Sequence, residues 1–473
     1  MRVTLVPLAI LVASVLLPSP EARAAYAQRT FQIGGIVTDI PADTTLLRRI
    51  SDAGIDWVSW YGWHYATLPG AADVTARAEE LRTHHAGFAM KVLAFYKADP
   101  GDPPRLGPGR LFLNRDHAPS RADIDSTLSP THGIDGPSTL GYAIWDEPDT
   151  NDALAFTNIG LISRWIAANP NSANKLAFTN LFSSSIHAQA VPDASFSAYL
   201  GRYLSLFDGA GTPAPLLSFD EYPFQVPGRI GTIEKNWFRT LRLVRDAANA
   251  HGRAGQRVPW QAMIELSPFR APADTGFSPM FSIVNTRWQA YTALAYGASG
   301  LCYYQLGPAS SSLEVWGNGI LDPQGDTVAT RYSEIRALDS DLHHLGPWLM
   351  RLDAVTTFHP DTLYWLGIQG ELFPNPDRAR SILSSFNAGS DSTLAGHLKD
   401  RTNGDDYLMV VSKALIAKRT FTLTLATAAD SLFRIDRATG KQVLLGTATN
   451  TIRLSDLPPG QGELFRIVGR TFE

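Results

Sequence analysis

Three short runs hold the carboxylates whose type and spacing suit chemistry. The first is Gly141-Tyr-Ala-Ile-Trp-Asp-Glu-Pro-Asp149, a strand-like stretch that ends on Asp146-Glu147 before Pro148 blocks its continuation. Alternation puts apolar Tyr142 and Ile144 on one face and Ala143, Trp145 and Glu147 on the other. The second run, Trp260-Gln-Ala-Met-Ile-Glu265-Leu266, puts Ala262 and Ile264 on one face and Gln261, Met263 and Glu265 on the other. In the third, Leu216-Leu-Ser-Phe-Asp-Glu-Tyr-Pro223, Ser218, Asp220 and Tyr222 share a face and Glu221 turns away from it. A carboxylate aimed into a protein interior is costly unless it is used or paired. Two that face each other are what glycosidic cleavage needs: one protonates the leaving oxygen, and the other attacks or activates water. Glu147 and Glu265 form that pair, with Asp220 as a rival acid.

The elements that must position them read as a repeating β-then-α pattern from about residue 29 to 350. Strand candidates are Gln32–Asp39, Ile55–Gly62, Phe88–Lys97, Gly141–Glu147, Lys175–Leu181, Leu216–Tyr222, Trp260–Leu266 and Gly300–Leu306. Amphipathic stretches at Ala153–Ala168, Ile233–Ala250 and Ser282–Tyr296 separate some of them, with stop signals at Asn169-Pro170, His251-Gly252 and Gly297. Eight such units over this length predict an α/β fold, a (β/α)8 TIM barrel. The charged faces of the three runs then point at the barrel axis, Glu147 from the fourth strand and Glu265 from the seventh. A doubly wound sheet would need a glycine fingerprint after the first strand, and only Gly34-Gly35 is there. The third unit carries a long Pro- and Gly-rich stretch, Asp99 to Ser138, with a helical pattern only at Ser120–Leu128. After residue 350 the pattern becomes short strands at Asp405–Val411, Phe421–Leu425, Leu432–Asp436, Gln442–Leu445 and Glu463–Val468. This predicts an antiparallel β-sandwich domain over 351–473.

The first 25 residues read as a secretory signal peptide: Arg2, an apolar run from Leu5 to Leu17, then Ala22-Arg23-Ala24 for cleavage. A secreted or periplasmic protein without stable membrane insertion is expected. The formal net charge of −4 and the lack of a basic stripe argue against nucleic acid. Cys302 is the sole cysteine, so no intrachain disulfide can form, and its apolar surroundings mark it as core. His84-His85 and His343-His344 are adjacent pairs on helical stretches, so their rings splay apart and give no metal signature.

In this order the runs resemble the large clan of retaining (β/α)8 glycoside hydrolases, and its β-galactosidase-like members in particular. Asp146-Glu147-Pro148 resembles the clan's Asn-Glu-Pro, and Glu265 its seventh-strand glutamate. Asp220-Glu-Tyr222-Pro223 is similar to a sixth-strand Asp-x-Tyr-Pro whose Tyr often contacts the nucleophile. Arg287 to Gly300, followed by Tyr303-Tyr304, resembles the helix and eighth strand of the same enzymes, and Leu457 to Phe465 their closing strand. The resemblance implies Glu147 as general acid and then base, and Glu265 as nucleophile. Asp146, Asn180, Asp220, Tyr222 and Tyr304 would bind the sugar or orient the pair. It implies a carbohydrate substrate and no cofactor. The sequence departs from the clan at Asp146, where Asn is usual, and at Tyr304-Gln305, where a Trp is common. The second strand ends in Trp60-Tyr61-Gly62-Trp63-His64 and not in an Arg. Trp60, Trp63 and Trp316 are candidate stacking platforms or core residues. Two other readings stay open: a carbohydrate-binding barrel without catalysis, and a metal-dependent hydrolase built on Asp220.

Overall fold

The computed structural model describes residues 26–469, except 39, 41, 61–70, 96–119, most of 123–135, 150–153, 173, 185–195, 209–214, 225–229, 253–256, 275, 278–281, 311–313, 361–381 and 388–392. The leader, Trp63 and most of the Pro- and Gly-rich stretch lie outside the described residues.

Eight parallel strands close into a barrel: β1 (Gln32–Val37), β2 (Trp57–Trp60), β3 (Lys91–Phe95), β4 (Thr139–Asp146), β5 (Leu176–Leu181), β6 (Leu217–Asp220), β7 (Trp260–Glu265) and β8 (Gly300–Tyr304). Closure comes from β1, which pairs with β2 on one side and β8 on the other. Helices α1 (Thr44–Asp52), α2 (Ala71–His84), α3 (Ala155–Ala168), α4 (Phe196–Asp208), α5 (Ile230–Ala250), α6 (Ile283–Ala295) and α7 (Ala329–Leu349) surround it. Caps fix where helices start: Asp43 accepts from Leu46 N–H at α1, and Ser282 with Asn285 forms a capping box at α6.

Apolar side chains on alternate strand positions separate two cores. Trp57, Leu93, Phe178, Met263 and Cys302 fill the barrel, while Val58, Tyr142, Phe219, Trp260 and Ile264 pack against the helices. Gly34 makes room inside, because a Cβ there would lie 2.0 Å from the Trp57 ring.

The chain then forms a seven-stranded antiparallel sheet: β9 (Leu352–Phe358), β10 (Leu383–Asn387), β11 (Thr393–Asp400), β12 (Asp406–Ser412), β13 (Arg419–Ile435), β14 (Gln442–Leu457) and β15 (Gly462–Val468). The two strands expected at Phe421–Leu425 and Leu432–Asp436 are one strand, β13. It stays continuous because its pairing with β14 shifts between Thr424 and Ala429. Along β12, Tyr407, Met409 and Val411 join the core shared with the barrel helices, whereas Leu408 and Val410 face the sheet's own core. The contact with the barrel is close: a Cβ on Gly396 would meet the Ala295 carbonyl oxygen at 2.0 Å. Among the described residues no helix is long and apolar enough to cross a membrane.

Candidate active site

The carboxylates gather at the C-terminal rim of the barrel, where strand ends and following loops build sites in this fold. On β4 the register slips. Ala143 lies opposite Phe178, but the next pairing is Trp145 with Thr179, so Ile144 and Trp145 share one step. The expectation that Trp145 faces the axis is therefore corrected: with Tyr142 and Ile144 it packs in the barrel–helix core. The same slip turns Asp146 to the axis, opposite Asn180. Simple alternation would then send Glu147 outward. Instead its backbone is left-handed, with φ of 48°, and its N–H donates to the Asn180 carbonyl at 2.9 Å. A non-glycine residue there costs on the order of 1 kcal/mol, a strain typical of functional positions. Glu147 is half-buried, and its charge acts on the hydroxyls of Tyr199 and Tyr222.

Asn180 stands between two aspartates. Its Nδ2 donates to Asp220 Oδ1 at 3.1 Å and to Asp146 Oδ1 at 3.4 Å. Asp220 is buried, and burial together with the Asp146 charge pushes its carboxyl up to about 8 against the pull of Asn180. Glu221 turns to the helices, as alternation predicts, and accepts from Thr240 Oγ1 on α5 at 3.1 Å.

Glu265 ends β7, opposite Tyr304 on β8. Helix α6 holds its backbone: the Glu265 N–H donates to Gln289 Oε1 at 3.0 Å, and Thr286 Oγ1 donates to its carbonyl at 3.0 Å. Phe224 N–H, from the loop after β6, donates to Oε2 at 2.9 Å, while Oε1 is buried with no partner. Burial pushes this carboxyl up to about 8, the Phe224 N–H lowers it, and the Glu221 charge adds to the rise. Among the described residues no hydrogen bond joins Tyr222 to Glu265, the contact that the resemblance implies.

Tyr222 takes part in an aromatic wall instead. Its ring stacks on Tyr304 at 5.4 Å, and both meet Trp316 edge-on, at 5.4 and 5.0 Å. Trp316 arrives on a small three-stranded sheet made of Phe269–Arg270, Ala309–Ser310 and Val315–Trp316, which ties the loop after β7 to the loop after β8. Glu314 locks the wall: it accepts from Trp316 Nε1 at 2.9 Å and from Tyr304 Oη at 3.3 Å. Sequence reading missed Glu314, because it lies in a loop with no strand parity to give its direction. Beyond Trp316 a cavity of about 910 Å³ opens, lined by Pro268, Phe277, Val315, Asn318, Arg331 and Glu334 among others.

Trp60 is not part of this wall. It packs in the barrel–helix core with its indole N–H on the Ile40 carbonyl at 2.8 Å, so the stacking role is corrected to a structural one. Cys302 is buried inside the barrel, and burial raises its thiol well above the usual range. Among the described residues no three His, Cys, Asp or Glu side chains are grouped to hold a metal ion.

No protein-family model matches the chain, and no curated protein matches it in sequence. Solved structures share its fold. A β-galactosidase from Bacillus circulans sp. alkalophilus aligns with a TM-score of 0.53 at 10% identity, over 93% of this chain and 99% of that one. Gan42B, a GH42 β-galactosidase from G. stearothermophilus, aligns with a TM-score of 0.53 at 9% identity, over 94% and 100%. The alignments cover both the barrel and the sheet that follows it. At this identity the likeness is one of fold.

Proposed function

We propose that the protein is an exported glycoside hydrolase that cleaves O-glycosidic bonds of an oligo- or polysaccharide with retention of configuration. One observation carries the reading. Carboxylates end β4 and β7 on one rim of a closed barrel, beside a wall of stacked aromatic rings suited to the C–H faces of a sugar. Glu147 would give its proton to the leaving oxygen and then take one from water. Glu265 would attack the anomeric carbon through Oε1, the oxygen without a partner. Substrate would promote that attack, since a carbon gaining positive charge favours the ionised carboxylate. The shared fold of the β-galactosidases is consistent with this reading and does not fix the sugar.

The test is turnover on a polysaccharide and aryl-glycoside panel, with Glu147→Gln and Glu265→Gln as controls. Azide separates the roles. With an activated aryl glycoside, a Glu147→Ala variant should yield the glycosyl azide of retained configuration, and Glu265→Ala the inverted one. Full activity in both variants would refute the assignment, and binding without turnover would favour a carbohydrate-binding barrel. Asp220 is the second candidate for the acid, because burial keeps its proton on at neutral pH. In that case azide would rescue Asp220→Ala and not Glu147→Ala.

A further inference from the structure

The strand register sets four side chains in a row across part of the barrel interior. Asp146 on β4 lies opposite Asn180 on β5, Asn180 opposite Ser218 on β6, and Ser218 opposite Gln261 on β7. Hydrogen bonds join them in the same order. Gln261 Nε2 donates to Ser218 Oγ at 3.2 Å, and Ser218 Oγ donates to Asn180 Oδ1 at 3.2 Å. Asn180 Nδ2 then serves Asp146 and Asp220. Asn180, Ser218 and Gln261 are all buried.

The row has a direction. Ser218 has one hydroxyl proton, and a donor from Gln261 on its oxygen leaves that proton for Asn180 Oδ1. That favours one face of the Asn180 amide. Turned over, its carbonyl oxygen would meet Asp146 Oδ1, and the Ser218 proton would lose its acceptor. The Asn180 main chain serves the same corner, because its carbonyl holds the N–H of left-handed Glu147.

We propose that Gln261 and Ser218 are positioning residues that fix the amide of Asn180, which in turn holds Asp146 and Asp220 in place beside Glu147. The catalytic consequence rests on the glycoside hydrolase reading, whereas the orientation of Asn180 does not. The charged and titratable groups around Asp220 come from several elements: Asp146 and Glu147 at the end of β4, Glu221 and Tyr222 after β6, Tyr304 on β8, Tyr199 on α4, and Glu314 beyond β8. They stay in place when the row is cut, so a change in Asp220 reports on Asn180.

Infrared spectroscopy of the substrate-free, full-length protein labelled with 13C in the aspartate carboxyls reads this directly. Beside the band of buried Asp339, which burial also holds protonated, a second protonated aspartate band should persist at pH 7, titrate near pH 8 and be the one lost in Asp220→Asn. Ser218→Ala removes the hydroxyl, and Gln261→Met removes the donor that leaves the Ser218 proton for Asn180, without adding a charge. Each takes from Asp220 a donor that favours its ionised form, so the midpoint should rise by about 0.5 to 1 pH unit. On a cleaved glycoside, kcat/KM should fall about fivefold in both. An unchanged midpoint in both variants overturns the proposal, and a lower melting temperature with that unchanged midpoint shows a purely structural role. A shifted midpoint in a protein that cleaves no glycan leaves the positioning row standing and refutes the hydrolase reading instead.

Discussion

Replacing Glu265 by Gln should make the protein more stable at neutral pH and should gain little at pH 4. The folded protein pushes this carboxyl from 4.5 up to about 8, chiefly by burial. Between those values the folded state keeps a proton that the unfolded chain releases, so stability falls as pH rises from 4.5 toward 8. At pH 7 the gap above 4.5 corresponds to about 3 kcal/mol at ~1.4 kcal/mol per unit. The amide keeps an oxygen for the Phe224 N–H and has no proton to lose. Its NH2 replaces Oε1, which has no partner in the parent, so the packing change is nearly the same at every pH. Urea denaturation followed by tryptophan fluorescence, at pH 4 and pH 7, measures the difference. The advantage of Glu265→Gln over the parent should grow by about 3 kcal/mol between the two. Growth under about 1 kcal/mol would refute the claim that Glu265 is held protonated by burial.

Three further outcomes follow from the geometry. On an activated aryl glycoside, whose leaving group needs no proton, kcat/KM of Glu147→Ala should rise with pH toward about 8, because Glu265 must be ionised to attack; a profile already flat from pH 5 would remove it as nucleophile. Glu314→Gln should raise KM several-fold with a smaller effect on kcat, since it weakens the clamp on Tyr304 and Trp316, whereas Trp60→Phe should leave KM alone and cost about 1–3 kcal/mol for the unpaired Ile40 carbonyl; steady-state kinetics and urea melts read the two effects. Gly141→Ala would bring a Cβ within 2.1 Å of the Leu176 carbonyl oxygen and should cost about 3 kcal/mol or more, while Gly136→Ala, with open space around it, should cost under about 0.5 kcal/mol by the same melts.

All eight barrel strands were legible in the sequence because each is a short apolar run set off by turn signals, and their burial enforces that pattern. β7 and β6 show how far parity reaches. Met263 and Asp220 face the axis and Glu221 the helices, as alternation alone predicts, because both strands keep their register to the end. β9, β10 and β11 were not legible. In the shared core Ala354, Leu394 and Leu398 are interleaved with small or polar residues such as Asp353, Gly396 and His397, so no strong period stands out.

The end of β4 failed for a different reason, and that reason bears on function. Alternation alone does not describe how the chain runs through Glu147. Two departures from regular strand geometry offset each other there: the shared step of Ile144 and Trp145, then the left-handed backbone at Glu147. Neither has a signature in residue type, since a glycine or asparagine would be expected at positive φ. What the slip achieves is visible only in three dimensions. It lets two consecutive acidic residues, Asp146 and Glu147, both serve the barrel mouth, which an unbroken strand cannot do because neighbours point to opposite faces. Asn180 underpins both, through its amide for Asp146 and its carbonyl for Glu147. An Asn180→Ala variant should therefore disturb Asp146 and Asp220, which lose the amide, and leave the Glu147 backbone in place, because the carbonyl at position 180 remains.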